Sequence, residues 1–229
     1  MSRIALVIAA HPDDEVLGCG GTIARLTAEE WKVHILILAE GATSRDRSRN
    51  RANRLSELSA LAKAAHAANA VLGAASVTLG DLPDNRMDTV ALLDVVKIVE
   101  DAIAQYRPEL VFAHHAGDLN VDHRVLHEAA ITACRPMPQH SVRELLFFEV
   151  ASSTEWRPAS SGLSFVPALY YDIGDYLETK LRALDAYESE MRPFPHARSI
   201  EAQRAMAMWR GATVGVPAAE AFAVGRLLR

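Results

Sequence analysis

Seven apolar residues in a row, Ile4-Ala5-Leu6-Val7-Ile8-Ala9-Ala10, break off in His11-Pro12-Asp13-Asp14-Glu15. An apolar run without polar alternation reads as a strand buried on both faces, which is the habit of parallel sheets covered by helices. Pro12 fixes its own φ and pushes His11 toward an extended conformation, so the strand ends in a stiff turn. An imidazole and three carboxylates crowded at one strand end are costly unless a cation or a reaction uses them. An acidic helix N-terminus would welcome the carboxylates, but it leaves His11 and Pro12 unexplained. Imidazole and carboxylate together suit a borderline metal such as zinc.

The rest of the chain alternates apolar runs with helical patterns, the signature of βαβ layers. Strands are predicted over 3–10, 33–39, 76–79, 110–113, 144–148 and 168–172, and helices over 20–30, 48–69, 89–106 and 122–134. Polar segments follow the first four strands: 11–15, 40–47, 80–88 and 114–122. In open parallel sheets ligands bind beyond the carboxyl ends of the strands, so these segments mark one candidate edge. After about residue 150 serine-rich loops appear, then helical patterns over 176–190, 200–210 and 218–228, with Arg192-Pro193-Phe194-Pro195-His196 as a stiff break. No repeat, low-complexity tract or linker interrupts the chain. The expected fold is α/β: a Rossmann-like three-layer α/β/α sandwich with a mostly parallel sheet. It forms one domain over 1–229, a core over 1–150 carrying a helical C-terminal extension over 151–229.

The formal net charge of -5 argues against general nucleic-acid binding. Cys19 and Cys134 lie far apart and outside any CxxC spacing, so both read as buried thiols in a reducing, cytoplasmic setting. No apolar run reaches the ~18–20 residues of a membrane helix. The N-terminal stretch is a poor signal peptide, because cleavage would cut beside His11.

His123, in Asp118-Leu119-Asn120-Val121-Asp122-His123-Arg124, opens the helix after the fourth strand and reaches the same edge as His11. His11, one carboxylate of the first motif and His123 would make three ligands with a fourth position for water, the pattern of a catalytic zinc site. The other carboxylate would then be free to take a proton from that water. His127, four residues beyond His123, is the alternative ligand on the same helix face.

His11-Pro12-Asp13-Asp14-Glu15 with Asp122-His123 resembles the LmbE/PIG-L family of zinc N-deacetylases. The likeness extends to Glu40-Gly41, Arg54-Leu55-Ser56-Glu57-Leu58, Asp84 in Leu82-Pro83-Asp84-Asn85, and the loop from His114 to His123. It implies His11, Asp14 and His123 as ligands of one Zn²⁺, other divalent metals being alternatives, with Asp13 as general base and Asp122 as an acid that tunes it. Asn120 stands where many relatives carry a His that assists the oxyanion. Asn can donate a hydrogen bond there but cannot protonate a leaving amine, which leaves Asp13, His114, His115 or His196 for that proton. Arg54 and Asp84 match family positions that bind sugar hydroxyls.

The implied reaction is hydrolysis of an N-acetyl group from a free or carrier-linked amino sugar of the N-acetylglucosamine type. Removal of an O-acetyl group or cleavage of a thiol-conjugate amide is the alternative within hydrolases. Arg45, Arg47, Arg49, Arg51 and Arg54 crowd a ten-residue stretch; they would attract an anionic carrier or form a solvated face balanced by Asp46 and Glu57. The segment from Tyr187 to Trp209, with His196 and Arg198, is a candidate site wall, and a homo-oligomer is expected. From another class, Leu17-Gly18-Cys19-Gly20-Gly21 imitates a nucleotide or S-adenosylmethionine loop with Glu40 as its acidic partner. Glycines for that purpose would follow the strand directly, so close helix–sheet packing is the preferred explanation.

Overall fold

The computed structural model describes residues 3–138 and 140–229. Strands β1 (Ile4–Ala9), β2 (Lys32–Ala39), β3 (Ser76–Leu82), β4 (Leu110–His114), β5 (Glu144–Phe148), β6 (Leu169–Asp172) and β7 (Ala219–Leu227) form one sheet in the order β3-β2-β1-β4-β5-β7-β6. The first five are parallel, and β7 runs antiparallel to both β5 and β6. Helices α1 (Asp14–Ala28), α2 (Leu55–Val71), α3 (Leu92–Tyr106), α4 (Val121–Ala133), α5 (Leu177–Asp185) and α6 (Ile200–Ala212) complete the sandwich.

The alternation along β1 shows how the layers are sealed. Ala5, Val7 and Ala9 face a core shared with α1, α2 and α5, whereas Leu6, Ile8 and Ala10 face one shared with α3 and α4. All six are fully buried, so the unbroken apolar run is the strand's response to having helices on both sides. None of the described helices is long and apolar enough to cross a membrane.

Two expectations fail in instructive ways. The first helix begins at Asp14 rather than Gly20, with Asp14 and Glu15 in its first turn, where carboxylates meet the positive end of the helix dipole. The predicted helix over 218–228 is strand β7, lodged between β5 and β6. Alanine-rich composition favours a helix locally, but a slot with partners on both edges supplies two hydrogen-bond ladders and overrides that preference. The C-terminal part therefore completes the sheet rather than adding helices alone.

The glycines of α1 have the packing role. A Cβ on Gly21 would lie 2.6 Å from Ile173 Cδ1, and one on Gly18 would collide with the Phe148 ring. Cys19 and Cys134 are both free and buried.

Candidate metal centre

The carboxyl end of β1 delivers His11 through the Pro12 turn, and the first turn of α1 delivers Asp14. Asp13 between them has φ 112° and is the residue preceding α1, a conformation that L residues rarely adopt. His123 arrives in the first turn of α4, directly across the sheet edge. Three donor atoms converge: His11 Nδ1 and His123 Nε2 each lie 3.1 Å from Asp14 Oδ2, and 3.3 Å from each other. Ligands at about 2.0–2.1 Å around a tetrahedral ion would stand about 3.3 Å apart, so the spacing fits a metal ion held by these three groups. All three residues are nearly or fully buried.

Each imidazole is backed by a carboxylate. His11 Nε2 is 3.0 Å from Asp122 Oδ2 and 3.4 Å from Asp84 Oδ1. With Nε2–H donating to these acceptors, the Nδ1 lone pair is directed at the metal position. Asp122 also accepts backbone N–H bonds from Asn85 (2.7 Å) and Met87 (2.8 Å). His11, Asp84 and Asp122 could form a second ligand group, which would use the opposite ring nitrogen of His11. His123 Nδ1 lies 3.1 Å from Asp118 Oδ1, near enough for charge to act though off the line of a good hydrogen bond. Asp118 is fixed by the Ser153 hydroxyl, the Thr154 hydroxyl (2.6 Å) and the Asn120 N–H (2.8 Å).

The charges are strongly coupled. Burial would raise the Asp14 carboxyl, yet His123 and His11 hold it well below the usual range. Burial would lower His123, but Asp14 and Asp118 more than offset this and bring it to about 9. Burial likewise opposes charge on His11, and hydrogen bonds to Asp122 and Asp14 drive its pKa well above the ordinary value. Asp13 is pushed up by burial, with the Arg198 guanidinium opposing. One oxygen of Asp13 accepts from Arg198 Nη1 at 2.6 Å, and its Oδ1 is buried with no protein partner. Asp14 Oδ1 is in the same position.

Other residues singled out from the sequence have different surroundings from those expected. Asp122 sits behind His11, its Oδ2 3.0 Å from the ring Nε2. Asn120 caps α4: its Oδ1 accepts from the Asp122 N–H at 2.8 Å, while its Nδ2 donates to Asn85 at 2.9 Å. It positions the turn carrying Asp122 and His123, and both ends of its amide are engaged. His114 is fully buried, stacked on His123 with ring centroids 3.9 Å apart, and its Nε2 accepts the Ala10 N–H at 2.8 Å. Burial pushes its pKa well below the ordinary value, and the His123 charge adds to this.

His127 is not one of the converging trio; its Nδ1 pairs with the His114 carbonyl at 2.9 Å. His115 holds the Leu163 carbonyl at 3.2 Å, and His196 Nδ1 accepts from the Arg198 N–H at 3.0 Å. Asp84 is buried beside His11 and accepts from Ser44 N–H and Asn85 Nδ2. Arg54 is clamped by Asp46 and Glu57, and Arg45 by Glu57 and Glu190. None of these three offers a side chain free of protein partners.

Residues 6–134, more than half of the chain, match the family described as PIG-L, GlcNAc-PI de-N-acetylase. The chain belongs to the PIG-L family. The uncharacterized deacetylase YaiS of Escherichia coli K12 is 28% identical over 190 residues, covering 80% of this chain and 90% of YaiS. A probable N-acetyl-alpha-D-glucosaminyl L-malate deacetylase 2 of Bacillus cereus is 25% identical over 214 residues, 91% of this chain and 94% of that protein. Among solved structures, the conserved protein TT1542 of Thermus thermophilus matches with TM-score 0.78 and 25% identity, covering 100% of this chain and 97% of that one. The 4-carboxy-2-hydroxymuconate hydratase GalB of Pseudomonas putida KT2440 also gives TM-score 0.78, at 22% identity and with 97% and 96% covered. The fold therefore hosts more than one chemistry. Membership of the PIG-L family and the deacetylase relatives make this PIG-L chain a hydrolytic deacetylase.

Proposed function

We propose that the protein cleaves the acetamide of an N-acetylated amino sugar with water, giving acetate and a free amine, and that zinc held by His11, Asp14 and His123 is its cofactor. The observation that carries this reading is the convergence of three donor atoms at 3.1, 3.1 and 3.3 Å, beside an Asp13 Oδ1 that is buried and unpartnered. When bound, zinc polarises a carbonyl and lowers the pKa of a water toward neutrality. Asp13 then accepts the proton of the attacking water. The same carboxyl returns that proton to the leaving nitrogen, since Asn120 has no acidic proton and His114 is tied to Ala10. Asp122 holds the His11 imidazole from behind through a hydrogen bond, and Asp118 places its charge behind His123.

The sugar assignment draws on the relatives, whose names describe acetylated glucosamine conjugates. The test is acetate release by zinc-loaded protein from N-acetylated amino sugars, free, malate-linked and carrier-linked, alongside O-acetyl esters and thiol-conjugate amides. Acetate and primary amine should appear in equal amounts from an N-acetyl sugar, stop with a chelator and resume with zinc. Release from O-acetyl esters alone would replace the amide reading with an esterase.

A further inference from the structure

Arg198 belongs to the segment between α5 and α6, 185 residues from its partner Asp13 and outside the matched family region 6–134. Its guanidinium is held at two points: Nη1 donates to Asp13 Oδ2 at 2.6 Å, and Nε donates to Ser152 Oγ at 2.7 Å. Ser152 lies in the loop after β5, so the arginine bridges a second, independent element to the strand-end motif. The Arg198 backbone is fixed as well, its N–H donating to His196 Nδ1 at 3.0 Å.

Asp13 needs such a restraint. It is 1% exposed, and its two carboxylate oxygens are unlike: Oδ2 accepts from the arginine, while Oδ1 has no partner. A carboxylate with one oxygen clamped has its other oxygen fixed in direction. A base able to rotate freely would lose the alignment on which proton transfer depends, and misplacement by about 1 Å can cost about 10²-fold.

We infer that Arg198 is a positioning residue: it clamps Asp13 Oδ2, with Ser152 holding the guanidinium, so that Oδ1 is presented to the attacking water. The inference rests on Asp13 being the base. It makes the C-terminal part of the chain a contributor to catalysis as well as to the sheet.

The test uses full-length, zinc-loaded protein and the best N-acetyl substrate from the acetate screen. Arg198→Ala should lower kcat about 10–100-fold, the usual range for a lost supporting partner, with KM and zinc per chain unchanged. Arg198→Lys should recover part of the loss, and guanidinium chloride at low millimolar concentration should partly rescue Arg198→Ala. A crystal structure of zinc-loaded Arg198→Ala should show the Asp13 carboxylate rotated from its wild-type position. In an Asp13→Asn background, Arg198→Ala should cause no further loss, because the two act as one unit.

An unchanged kcat in Arg198→Ala overturns the inference. So does an equally large additional loss in the Asp13→Asn background, which would mean that the arginine acts on the substrate directly. Should Arg198→Ala fail to fold, Ser152→Ala removes only the second anchor, and kcat must still fall. If Asp13→Asn itself retains near-normal turnover, the assignment of the base has failed instead, and the two failures are told apart.

Discussion

The carboxylate–imidazole cluster at the end of β1 and the arginine belt of residues 45–54 are both dense in charge, yet they are completed differently. In the belt, each guanidinium with a described side-chain contact is matched internally: Arg45 by Glu57 and Glu190, Arg49 and Arg51 by Glu40, Arg54 by Asp46 and Glu57. In the cluster, buried atoms are left over, among them Asp13 Oδ1 and Asp14 Oδ1. Buried polar atoms are nearly always paired. Thr22 Oγ1 and Asn69 Oδ1 are unpaired as well, so it is the combination of unpaired carboxylate oxygens with converging donor atoms that marks the place for something from outside the chain. Charge density by itself does not.

The comparison breaks most visibly if the cluster holds no metal. His11→Ala, Asp14→Ala and His123→Ala should each reduce bound zinc from about one per chain to background, because a three-ligand site has no spare donor. Elemental analysis of the purified variants reads this directly, and zinc retained in all three would move the metal elsewhere. Next in size is the base. Asp13→Asn should keep zinc and lose about 10²–10⁴-fold in kcat, the usual contribution of general acid–base catalysis, measured by steady-state acetate release.

Metal uptake should also depend on pH, with a sign set by His123. In the metal-free protein this imidazole stays protonated up to about 9, since Asp14 and Asp118 outweigh burial. Zinc needs it neutral, so a proton must leave on binding. His11, whose pKa Asp122 and Asp14 also raise, must lose a proton too, so apparent affinity should rise by more than about tenfold per pH unit while both imidazoles are charged and flatten once both are neutral. Chelator competition across that range would show it, and a flat profile would mean that His123 is not displaced of a proton.

The smallest effect is expected in the belt. Arg54→Ala should leave zinc content unchanged and alter kcat and KM by no more than about twofold, the scale of ordinary surface substitutions. A tenfold rise in KM would show that the guanidinium leaves Asp46 and Glu57 for the substrate, and the belt would then belong to the site.

Residue type and local order are enough to reveal the fold's outline and the two imidazoles that converge at its edge, while the choice of Asp14 over Asp13 comes from the family resemblance. An uninterrupted apolar run reads as a strand buried on both faces or a buried helix, and its shortness and β-branched residues favour the strand. His11 and His123 stand out as candidate ligands because each belongs to a polar segment at a strand end. Local pattern is not enough for 218–228, where the slot between β5 and β6 outweighs helix propensity.

What the sequence determined by itself is which chemical groups exist and which of them stand at the ends of the first four strands. Only the tertiary structure decided what those groups touch. Asp122 proved to support His11 from 111 residues away, Asn120 to cap a helix, and Asp118 to stand behind His123. Arg198 reached Asp13 across 185 residues. Propensity and periodicity act over a few residues, whereas the partner of a charged side chain is set by which loops the sheet order brings to one edge.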